Sequence, residues 1–77
     1  MKMYVGNLMY NMTENDLRNL FSAFGEVLSS RIIIDHYTRQ SKNMGYVEMA
    51  VQEEGKNAMR ALNGKKINDQ CLVVRKA

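Results

Sequence analysis

A chain of 77 residues can bury one small core, and its 45% apolar and 25% charged residues exclude an intrinsically disordered segment. A net charge of +3 and a pI near 9.2 fit a polyanionic partner without requiring one. The single Cys71 excludes an internal disulfide and any multi-cysteine metal site, and no apolar run approaches the roughly 20 residues that cross a bilayer. Strand-like alternation follows Lys2 directly, so the N-terminus does not read as a secretion signal. A soluble, cytoplasmic, monomeric domain without cofactor or metal is expected.

In chain order, residues 2–6 alternate as a strand that ends at Gly6-Asn7. Thr13 is a good helix N-cap, with Glu14 and Asp16 in the first turn where carboxylates favour the dipole. Leu17, Leu20, Phe21 and Phe24 then recur at the spacing of one buried helical face, and Gly25 supplies the stop. Residues 27–35, rich in isoleucine, predict a second strand. His36 to Ser41 reads as a polar loop and 44–50 as a third strand. Glu53 and Glu54 open a second helix whose buried face is Gly55, Ala58, Met59 and Leu62, closed by Asn63-Gly64. Gly55 inside that helix points to close approach of helix to sheet, with room for a methyl at little cost. Cys71 to Arg75 alternate in a final strand. The order βαββαβ predicts an α+β, ferredoxin-like sandwich: a four-stranded antiparallel sheet with two helices on one face.

Such a sandwich leaves the other sheet face uncovered, and parity decides what emerges there. In Lys42-Asn43-Met44-Gly45-Tyr46-Val47-Glu48-Met49, residues 42, 44, 46 and 48 share one side, and Gly45, Val47 and Met49 the other. Lys2 and Tyr4 repeat the arrangement against Met3 and Val5. A cation for phosphate and a flat ring for a base are what unpaired nucleic acid needs. Arg31 and Arg75 share the open face by parity, Lys76 lies beyond the strand end, and together the cations outnumber Asp35 and Glu48. Ile33 and Val73 also point outward, where they suit base or sugar contact and sheet propensity equally well. Each tyrosine alone is also explained as an ordinary strand residue; the pair on adjacent strands is not. Tyr10 and Tyr37 fall in loops and are expected to pack over the core edge, and Cys71 near the sheet edge is expected to be inert.

These segments resemble the RNA-recognition motif (RRM) over essentially the whole chain. The family's octapeptide runs basic residue, Gly, aromatic, Gly or Ala, aromatic, aliphatic, any residue, aromatic; here it stands as KNMGYVEM, and the companion hexapeptide as MYVGNL at 3–8. TENDL, FSAFGEV and ALNG agree with the same pattern, closest to short bacterial or glycine-rich single-RRM proteins. The resemblance implies a non-enzymatic module for single-stranded RNA, with single-stranded DNA as the second candidate ligand. Its implied RNA-binding residues are Tyr4, Tyr46, Met44, Lys42, Lys2, Arg31, Ile33, Glu48, Arg75 and Lys76. Met44 departs from the third aromatic and offers a polarisable thioether without a flat face. Asn43 and Arg39 replace family glycines; Asn accepts a positive φ. Asp69-Gln70 stand where Gly-Arg is common, which removes one implied contact.

Two rivals share the scaffold. A protein-interaction module would use an apolar helix surface or a sheet that has lost its aromatics, but Arg18, Asn19, Lys56 and Arg60 mark a polar helix surface and the two tyrosines argue against the second route. An acylphosphatase-like hydrolase would need a glycine-rich, basic first loop, and Leu8 to Met12 is neither.

Overall fold

A computed structural model describes residues 1–34, 37–38 and 41–77, with the backbone alone at 41 and 42. The chain forms β1 (Lys2–Gly6), α1 (Glu14–Ser22), β2 (Val27–Ile34), β3 (Ser41–Met49), α2 (Gln52–Leu62), β4 (Lys66–Ile67), β5 (Gln70–Cys71) and β6 (Val73–Lys76). The main sheet has the order β2-β3-β1-β6, and each neighbouring pair is antiparallel. This is the predicted βαββαβ sandwich with one addition. β4 and β5 form a separate hairpin, which takes Cys71 out of the final strand. Its turn is Asn68-Asp69, both with positive φ (49° and 68°), the two-residue geometry that matches strand twist.

Alternation along the strands builds the core. Met3, Val5, Val47, Met49 and Val74 are buried on the helix side, where they meet Leu17, Phe21, Ala58 and Leu62. Leu20, Phe24 and Met59 flank this core half-buried, with Phe24 packing from the turn beyond the end of α1 at Ser22. A methyl at Gly55 would lie 2.8 Å from the Met1 sulfur and 3.2 Å from the Met1 Cβ. The helix therefore approaches a terminal side chain there, and the sheet backbone is not the nearest neighbour. Met1 is held by its amine donating to the Met49 carbonyl and by its own carbonyl accepting from the Met49 N–H.

Helix α1 begins with a capping box. The Asp16 N–H donates to Thr13 Oγ1 at 3.0 Å and the Thr13 N–H to Asp16 Oδ2 at 3.1 Å. The same helix dresses the free edge of β2. The Ile32 N–H donates to the Glu14 carboxylate, Ser30 Oγ to the Glu14 carbonyl and Arg18 Nη1 to the Val27 carbonyl. Unpaired strand edges invite foreign strands, and these bonds occupy groups such a strand would use.

The backbone N–H of Thr13, and then its hydroxyl, hold the Asp16 carboxyl below the ordinary value of 3.8. A carboxylate depressed by folding stabilises fully above its unfolded pKa, and that share is lost as pH falls through the folded value. Asp16→Asn is expected to lower the melting temperature by a few degrees at pH 7. The gap between variant and wild type should close in scans taken progressively below pH 3.8.

Gly45 sits opposite Ile32, where a Cβ would run into the Arg31 backbone carbonyl and lie 3.3 Å from Leu17 Cδ2. Backbone on one side and core on the other leave nothing free to move. Gly45→Ala should cost roughly 1–3 kcal/mol of stability in urea denaturation, as overpacking does.

Candidate nucleic-acid interface

Register brings the predicted face together. Tyr4 is the direct cross-strand partner of Tyr46, Lys2 of Glu48 and Gly6 of Met44. Arg75 lies opposite Tyr4 on one flank, and Arg31 opposite Tyr46 on the other. Paired residues share a face, so Arg75, Tyr4, Tyr46 and Arg31 form a row across the four strands on the side away from the helices. Both tyrosines are half-buried and both arginines exposed.

The two rings stand edge to face, centroids 6.0 Å apart with their planes at 71°. Lys2 Nζ lies 5.2 Å from the Tyr46 centroid, and Arg75 Cζ 5.4 Å from that of Tyr4. Each ring thus already holds a cation, an arrangement worth about 0.5–1 kcal/mol at an exposed site. The phenol end of Tyr4 rests above Gly6.

The turn after β1 secures the hexapeptide. Asn7 adopts a φ of 59°, and its side-chain amide donates to the Cys71 carbonyl at 2.8 Å and accepts from Gln70 Nε2 at 3.3 Å. Gln70, at the position of the expected missing contact, therefore ties the β4–β5 hairpin to the end of β1. The Leu8 N–H donates to the Asn43 carbonyl, so the two motifs are bonded to each other. Asn43 itself adopts a φ of 63°, the conformation expected where the family carries Gly.

Other predicted residues fall less simply. Met44 and Ile33 are half-buried, and Val73 is half-buried opposite Gly6. Lys76 lies inside β6 and opposite Met3, which puts it on the helix-side parity and not past the end of the strand. Between Ile32 and Ile34 the register slips, since Ser41 to Gly45 spans four steps against two. The alternation that links Lys42 to Tyr46 is interrupted there, and the Lys42 side chain lies outside the described residues, as do Asp35, His36 and Arg39. Tyr10 and Tyr37 do not pack over the core; they are 76% and 99% exposed. Cys71 is an exposed free thiol.

Sequence reasoning missed Ser29. Ser29 shares the parity of Arg31 and pairs with Glu48 on the open face, while a second irregularity between Val27 and Ser29 turns Val27 into the core and leaves Leu28 exposed. An inserted residue of this kind leaves no trace in an alternation pattern. Among the described residues, no three His, Cys, Asp or Glu side chains gather as a metal site, and no helix is long and apolar enough to cross a membrane.

A family model described as RNA recognition motif matches residues 3–73. The chain is 33% identical over 73 residues to glycine-rich RNA-binding protein 3, mitochondrial, of Arabidopsis thaliana, covering 95% of this chain and 24% of that protein. It is 39% identical over 71 residues to cleavage stimulation factor subunit 2 of Homo sapiens, covering 92% of this chain and 12% of that one. The chain thus spans about a quarter of the first relative's length and far less of the second's. Among solved structures, RNA Binding Protein PG1 superposes with a TM-score of 0.96 at 36% identity, over 100% of this chain and 93% of that one. The Rna15 RRM with bound RNA (GU) gives a TM-score of 0.88 at 28% identity, over 99% and 81%.

Proposed function

The chain belongs to the RNA recognition motif family, and from that premise we propose that it binds short single-stranded RNA on the open face of its sheet. The observation that carries this reading is the pair of tyrosines on adjacent strands, 6.0 Å apart and each under a cation. The Rna15 RRM was solved with bound RNA, and its fold is shared here over nearly the whole chain.

A base stacking on an aromatic contributes about 1–3 kcal/mol, more than the about 0.5–1 kcal/mol of an exposed cation–π contact. A base therefore displaces Lys2 from Tyr46 and Arg75 from Tyr4 at a net gain. The freed cations turn to the phosphates that arrive with the base. Arg31 adds charge on the β2 side, and Glu48 supplies an acceptor for a base amino group. Met44 contributes apolar contact beside Gly6 without a third stack. Two stacks, less the cost of ordering the strand, correspond to dissociation constants on the order of micromolar to tens of micromolar. No catalytic step is assigned to these residues; the module holds its ligand and releases it. In the same reading it acts as a monomer in the cytoplasm, where a reducing medium keeps the exposed Cys71 a thiol.

Tyr46→Ala should weaken a short RNA oligomer about tenfold in fluorescence anisotropy while the melting temperature stays near that of wild type. Unchanged affinity would overturn the sheet-face reading. Titrations over a salt series should give a slope near −2, the value for about three neutralised phosphates on a single strand. Matched RNA and DNA oligomers in the same assay separate the two sugars.

Replacing Met44 by a ring is expected to act in the other direction. Met44→Phe should tighten RNA by about fivefold, the lower end of one added stack, as measured by isothermal titration calorimetry.

A further inference from the structure

Gly6 ends β1 two residues beyond Tyr4 on the same face, between Met44 on β3 and Val73 on β6. Strand interiors disfavour glycine, so its presence asks for a reason. The backbone supplies none, because the glycines with positive φ are Gly25 and Gly64. Nor do the helices, which cover the opposite side of the sheet. Yet Gly6 is buried.

The cover is Tyr4. A Cβ at Gly6 would lie 2.7 Å from the Tyr4 hydroxyl oxygen, 2.9 Å from Cε2 and 3.0 Å from Cζ. The three nearest atoms all belong to that one ring, which therefore lies down along the strand in the space a side chain would fill. The atoms in the way are the far end of a rotatable side chain, so an alanine would leave the strand in place and lift the ring. A lifted ring leaves both its contact with Arg75 and the orientation it now holds against Tyr46.

We propose that Gly6 is a positioning residue of the RNA-binding face, whose missing side chain sets the height and tilt of the Tyr4 ring for base stacking. The proposal rests on the open face being the RNA site. Gly6 touches no nucleotide in this role; it acts only through Tyr4. A glycine needed merely to form the strand would instead affect binding whether or not the ring were present.

The test is a cycle of Gly6→Ala, Tyr4→Ala and the double variant, titrated with one short RNA oligomer. Gly6→Ala should melt within a few degrees of wild type and bind about fivefold more weakly. In the Tyr4→Ala background the same change should alter affinity by less than about twofold, because the ring it displaces is gone. In NMR spectra, the Arg75 side-chain protons should lose their ring-current shifts in Gly6→Ala. If Gly6→Ala binds as tightly as wild type while Tyr4→Ala is weak, the role of Gly6 is overturned and the open-face reading stands. Equal losses in both backgrounds overturn it as well, since Gly6 would then act through the strand. If neither Tyr4→Ala nor Tyr46→Ala weakens RNA, the open-face reading fails and this proposal fails with it. Wild type supplies a check that needs no variant to fold: nuclear Overhauser contacts between the Gly6 Hα and Tyr4 Hε protons are expected, and their absence overturns the proposal.

Discussion

Two helices cover one side of the sheet, and the residues that pay out onto the other side are fixed by what the helices must bury. Met3, Val5, Val47 and Met49 are sealed beneath α1 and α2, so Lys2, Tyr4, Tyr46 and Glu48 between them have nowhere else to go. A slip of one residue in either strand would exchange the two sets and bury the phenols. Two features oppose that slip: the Leu8 N–H bond to the Asn43 carbonyl, and the tight seat of Gly45 against the Arg31 carbonyl. The face that meets RNA in the proposed function is thus a by-product of core packing on the far side of the same strands.

The cations on this face are placed twice over. Arg75 faces Tyr4 by register and covers its ring in space; Lys2, paired with Glu48, reaches the neighbouring Tyr46. In the free domain these contacts shield aromatic surface that would otherwise face water. They are weak enough to yield to a stacking base. In the proposed function, the exchange would leave positive charge beside the bound phosphodiester chain, so the same groups would serve both the empty and the loaded state.

Much of this could be read from residue order because each strand of the main sheet is buried on one side only, which writes a period of two into the chain. Tyr4, Tyr46 and Arg75 followed from parity alone, and the Thr13 cap from the residue types that follow it. The failures have separate causes. Lys76 is expected past the strand end, but no residue there marks where the strand stops, and β6 continues to it and pairs it with Met3. Ser29 follows the parity of Arg31 but brings neither ring nor charge to mark it, whereas the burial of Val27 depends on the irregularity beside Leu28, which alternation does not show. The Asn68-Asp69 hairpin escaped because its strands have only two residues each, too few for a periodic signal. Tyr10 is expected to pack over the core edge from its loop, but its turn carries it into solvent.

The dressed margin of β2 has a consequence for any longer chain built around this domain. Adjacent modules that associate by extending a sheet need open amide and carbonyl groups along one outer strand. Here the Ile32 amide already holds the Glu14 carboxylate, and the Val27 carbonyl already holds Arg18. A neighbour would have to dismantle those bonds before it could add a fifth strand on that flank. Association by strand addition is therefore disfavoured on that flank.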